Sequence, residues 1–148
     1  ARSANLAGTT AAEAALVDVW LDHCEDVRKA YSDVIYGLDE PPFDDSLRND
    51  DPRCVAAFTA HAPAVVSSFR PFERALEGLS VLVGAALTVA DVALYDILDV
   101  HLRLWPDALA AAEFPRVHAH RAAVAAGPAI AAYLSGQRWG RLNGNALG

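Results

Sequence analysis

The 148-residue sequence has no methionine and only two cysteines, Cys24 and Cys54. A chain that starts at Ala1 without a methionine anywhere implies something upstream: a cleaved presequence, a preceding domain or another segment. Two cysteines are too few for a disulfide scaffold. Cys24 lies on an apolar helical stripe, so a buried free thiol is expected there, and a reducing compartment is the simpler expectation. Positive charge is also scarce: 12 Lys+Arg stand against 19 Asp+Glu, a net charge of −7. That balance argues against nucleic acid as a partner, which demands clustered Lys and Arg. Long apolar runs are missing as well. The longest, Val81 to Ala90, is broken by Gly84 and Thr88, far short of the roughly 18–20 residues of a membrane span. No secretory n-region and h-region open the chain. The five histidines, His23, His61, His101, His118 and His120, lack metal-ligand spacing, because residues two apart on a helix point to different sides.

What is present is alanine, 31 residues of it, in a chain 53% apolar and 21% charged. Such a composition fills a core, and the alanine excess favours helix over sheet. At this length one domain is expected, burying roughly 68–70% of the surface exposed by the unfolded chain.

Thr10-Ala11-Ala12-Glu13 has the form of a capping box. Apolar residues follow at Leu16, Val17, Trp20, Leu21, Cys24, Val27, Tyr31, Val34 and Ile35, which predicts a long amphipathic helix that stops at Gly37. Residues 38–52 hold six acids among Pro41, Pro42 and Pro52, and read as a solvated loop; the glycine and bidentate Glu of a calcium loop are missing. A second helical stretch from about Pro52 to Gly78 contains Pro63 and Pro71, predicting two or more segments. Thr88-Val89-Ala90-Asp91 again has capping-box spacing, with Leu87 placed to staple onto Val92. The helix after it is apolar nearly all round, which marks a buried central helix ended by Pro106. Phe114-Pro115 opens another helix that stops at Gly127-Pro128. A short segment, Pro128 to Ser135, carries Ile130, Tyr133 and Leu134. The tail from Gly136 is read as irregular. The fold class is therefore all-α, a single domain with about five helices.

The order of these motifs resembles the C-terminal helical domain of cytosolic glutathione transferases, most closely the pi class with its mu, alpha and sigma relatives. Ala14-Ala15-Leu16-Val17-Asp18, Glu25 to Tyr31 and Val34-Ile35-Tyr36 resemble the first helix of that domain. Leu82-Val83-Gly84 with Leu87 to Asp91 resembles its glycine turn and buried capping box, and Phe114 to Val117 with Gly127 to Leu134 its closing helices. The resemblance implies roles. Asp26 would reach across a dimer to the γ-glutamyl end of glutathione held by the partner, a charge-assisted bond to an ammonium. Ser32 and Tyr36 would line the electrophile pocket, which Asn143 and Gly144 in the tail would close, and Arg2 would lie at the dimer contact. Thr88 and Asp91 would be structural caps.

In that family the thiol-activating Tyr, Ser or Cys, and most of the glutathione site, belong to a preceding thioredoxin-like domain. Nothing in 1–148 matches it, so no catalytic residue is expected here. The acidic loop also looks longer than the pi-class connection, which alters the expected pocket wall. Two readings follow. The favoured one is a non-catalytic structural or interaction subunit, joined to protein partners in a larger assembly or to a second copy of itself. The other is the C-terminal part of a transferase that conjugates glutathione to apolar electrophiles. Neither needs a cofactor, glutathione entering only as substrate.

Overall fold

In the computed structural model the residues described are 6–36 and 52–136, and these form five helices and no strand. They are α1 (Ala11–Tyr36), α2 (Pro52–Ala75), α3 (Val89–Leu104), α4 (Pro115–Ala126) and α5 (Pro128–Gly136). The acidic stretch 38–51, the stop at Gly37 and the tail beyond Gly136 lie outside the described residues.

α1 buries Val17, Cys24, Val27 and Tyr31, one stripe at helical spacing. Leu16, expected on that stripe, is instead 51% exposed. It sits about 100° round the helix from Val17, the residue that points inward. The start of α1 also differs from expectation. Thr10 Oγ does accept the Glu13 amide at 3.1 Å, but the Glu13 carboxylate accepts from the backbone and hydroxyl of Thr9, both at 2.6 Å. The reciprocal half of the box is shifted back by one residue. Gly8, with φ of +87°, makes the bend that precedes Thr9, and a Cβ on it would lie 2.7 Å from Glu13 Cβ.

α2 is one helix despite Pro63 and Pro71, so the expected break does not occur. Each proline withholds an amide from the carbonyl four residues earlier. Those carbonyls belong to Thr59 and Ser67, both exposed residues, so neither group is shut away from solvent. The opposite side of α2 supplies Phe58, Val65, Phe69 and Phe72 to the core, and Leu76 joins them just past its end.

α3 runs through the middle of the bundle. It packs on α1 on one side and α4 on the other, and α2 closes against both α1 and α4. Its Ala90, Leu94, Ile97 and Leu98 are wholly buried, at about 1.5–3 kcal/mol for each of the larger side chains. Trp105 follows its last turn, and its indole N–H donates to the Phe58 carbonyl at 2.8 Å. Leu109, Phe114 and Val117 complete this end of the core. Among the described residues α5 packs chiefly on α4, and none of its own residues is buried; Tyr133 is 58% exposed.

One ionisable side chain occupies the centre of the core. His101 is 1% exposed, with Tyr31 edge-on at 5.2 Å, Phe69 at 5.1 Å and Trp105 at 5.3 Å between ring centroids. Its Nδ1–H donates to the Ile97 carbonyl at 2.6 Å. Burial lowers its pKa from 6.5 to about 4. The unfolded chain therefore takes up a proton, as pH falls through 6.5, that the folded chain refuses until about 4. Stability from this group is complete above that window and declines within it. Urea midpoints measured from pH 7 to pH 5 are expected to fall for the wild type and to fall less for His101→Phe.

Candidate functional site

The residues singled out by sequence fall into two separate places. The first is the outer side of α1. Ser32 and Tyr36 are four residues apart and share one side of the last helical turns; Ser32 is half-buried and Tyr36 is 47% exposed. Asp26 is exposed but lies ten residues earlier, about 15 Å down the axis at 1.5 Å per residue. It does not share a pocket with Tyr36. Near it Arg28 bridges Glu25 at 3.2 Å and Asp96 of α3 at 2.9 Å, and Lys29 bridges Asp33 at 2.7 Å. Asp26 is exposed and makes no ion pair among the described residues, a property it shares with Asp18 and Asp22 of the same helix. Arg2, Asn143 and Gly144 lie outside the described residues.

The second place is the buried start of α3. Thr88 and Asp91 close a capping box there. Asp91 Oδ2 accepts the Thr88 amide and the Thr88 hydroxyl, each at 2.8 Å. Its Oδ1 accepts the Leu82 amide at 2.8 Å and Nε2–H of His120 at 2.9 Å. The carboxylate thus ties α3 to the loop before it and to α4. Gly84, in that loop, takes φ of +68° and abuts the Glu13 carboxylate, which a Cβ would approach to 2.9 Å.

Three further side chains make contacts that no local sequence pattern marks. His118 and His120 do diverge as expected, but not idly: His118 Nε2–H donates to the Leu109 carbonyl at 2.7 Å, and His120 to Asp91. Nothing local announces a bond across 29 residues. The third is Glu73, buried on α2, whose carboxylate accepts the amides of Arg116 at 3.2 Å and Val117 at 3.0 Å. Its burial was readable, since an acid four residues after Phe69 stands inside an apolar stripe. Phe114, the residue before α4, offers no side-chain cap of its own, so Glu73 supplies one from another helix.

Cys24 is 1% exposed and its thiol is pushed up to about 12 by burial, which removes it as a nucleophile. The side chain of Cys54 lies outside the described residues. Among the described residues no three His, Cys, Asp or Glu side chains are grouped to hold a metal, and no helix is long and apolar enough to cross a membrane.

A helical bundle around a buried central helix, entered by a capping box after a glycine turn, is the architecture of the helical half of glutathione transferases. Residues 25–137 match the family model described as the glutathione S-transferase C-terminal domain, and the chain belongs to that family. It is 33% identical over 151 residues to glutathione S-transferase P 1 of Bufo bufo, covering 98% of this chain and 64% of that protein. Glutathione S-transferase P of Homo sapiens is 32% identical over 150 residues, covering 97% and 63%. The fold is similar to the solved structure of NaGST-2, with a TM-score of 0.69, 26% identity, and 92% of this chain against 63% of that one. Rat hPGDS complexed with a quinoline shares the fold at a TM-score of 0.66 and 24% identity, over 95% of this chain and 64% of that one. The chain thus spans just under two thirds of the length of these relatives.

The acid response of the capping box follows from its donors. Burial opposes the charge on Asp91, but the bonds from His120, Leu82 and Thr88 outweigh it and hold the carboxyl below its usual 3.8. The stabilisation is present above 3.8 and is lost as pH falls through the lower folded value. Asp91→Asn, which cannot carry the charge, is expected to cost about 1–3 kcal/mol at neutral pH. Thermal melts of the two proteins should converge as the pH is taken below 3.8.

Proposed function

We propose that this chain forms the helical wall of a glutathione transferase. The outer side of α1 presents Ser32 and Tyr36 to an apolar electrophile. Asp26 receives the γ-glutamyl ammonium of glutathione bound by a partner subunit. The observation that carries this reading is the Asp26 carboxylate: exposed, without an ion pair among the described residues, and at the position that the resemblance assigns to that contact. Family membership and identity of about a third to two pi-type relatives support it.

The chemistry asked of these residues is modest. Conjugation needs a thiolate produced by a positioned donor, and no residue within 1–148 is assigned that role. What α1 supplies is recognition. A carboxylate fixes the charged end of glutathione, and a tyrosine ring offers an apolar body with a hydroxyl able to donate to charge developing on the electrophile. The competing reading, a non-catalytic subunit that uses the same face to hold a protein partner, leans on the lack of a thiol-activating residue in these 148 positions. Since the chain spans only 64% of its relative's length, that lack favours neither reading.

The test uses the native polypeptide purified from its source. Retention on immobilised glutathione, conjugation of a chromogenic aryl halide and an intact mass well above 15.7 kDa are expected. Asp26→Ala should raise KM for glutathione about tenfold, the loss of one charge-assisted bond. Tyr36→Phe should lower kcat/KM for the electrophile with the melting temperature unchanged. A native mass of 15.7 kDa with no conjugation would sink the transferase reading in favour of the interaction subunit.

A further inference from the structure

Two helix starts in this fold rely on side chains from another helix. At α4, Glu73 of α2 accepts the amides of Arg116 and Val117. At α3, the capping box is joined by His120 of α4, whose Nε2–H donates to Asp91 Oδ1. Val117 and His120 are three residues apart on the same buried side of α4, so the first turn, which Glu73 holds in place, directly supports the second, which delivers His120. The bond between His120 and Asp91 is sealed, at 1% and 0% side-chain exposure, and Glu73 is 6% exposed. The relay continues outward. Asp91 Oδ1 also accepts the Leu82 amide, and the Val89 amide donates to the Leu6 carbonyl at 2.8 Å.

We infer that the first turn of α4 is a coupling element, through which Glu73 controls the opening of the α3 start although it touches neither Asp91 nor the loop before it. The physical ground is that the 12-residue α4 carries both contacts within its first six residues: its Arg116 and Val117 amides on Glu73, and its His120 on Asp91. If the Glu73 cap is lost, the Arg116 and Val117 amides lose their acceptors and the first turn frays. His120 then leaves a carboxylate that has no other donor from α4. Buried networks of this kind lose more than the sum of their separate bonds, and coupling between two sites is reciprocal.

Hydrogen exchange on the full chain reads the relay directly, because the amides of Leu82 and Thr88 both end on Asp91. In Glu73→Gln, exchange at Arg116 and Val117 should speed up. Exchange at Leu82 and Thr88 should also rise about tenfold relative to the mid-helix amides of Cys24 and Val27 in α1, which report global opening. His120→Phe should in turn speed exchange at Arg116 and Val117 by a similar factor. In the double variant, the Gln substitution should no longer affect Leu82 and Thr88. Faster exchange at Arg116 and Val117 with Leu82 and Thr88 unchanged would overturn the inference. So would an effect of Glu73→Gln that persists in full in the His120→Phe background. Glu73→Asp, which shortens the reach by one methylene, is read in the same way should Glu73→Gln fail to fold.

Discussion

The structure depends on one buried carboxylate. Asp91 accepts four hydrogen bonds from three parts of the chain: the loop at Leu82, the turn of α3 at Thr88, and α4 at His120. α3 is the helix against which α1 and α4 pack, and its start is inside the protein, where water cannot supply the donors and acceptors that an exposed helix end would use. A buried start without these bonds would leave several unpaired polar groups in a core that supplies none. The aliphatic packing around Leu94, Ile97 and Leu98 contributes the larger free energy, but it is in register only while this end is fixed.

Much of this was readable from the residues. The two capping boxes, the central apolar helix and the proline at the start of α4 each carry a local signal, and each marks an element that exists. The errors were equally local in origin. A proline inside a helix removes a backbone bond and favours a break, yet the packing of Phe58, Val65 and Phe69 against the core keeps α2 whole. Leu16 is apolar and belongs to the predicted stripe, but the curvature of the helix allows only a narrow strip to reach α3.

The candidate site was legible to a different degree. Periodicity alone separates the wet side of α1 from its buried side, and so places Asp26 and Tyr36 outside. It cannot say which charged residues of α1 pair with a residue on another helix. Arg28 does so by reaching across to Asp96 on α3, a contact between residues 68 positions apart. The same holds for His120 and Glu73. Each acts on a helix other than its own, and no pattern within a few residues records such a bond.

Cys24 and Tyr36 lie on the same helix, one facing in and the other out. Burial pushes the Cys24 thiol up to about 12, so it stays protonated at pH 7, and the thiolate is the form that reacts. An electrophile that reaches the outer side of α1 therefore meets a helix whose own sulfur is masked. Alkylating reagents such as iodoacetamide can be applied to the folded protein without marking this position, and modification of Cys24 becomes a direct readout of unfolding.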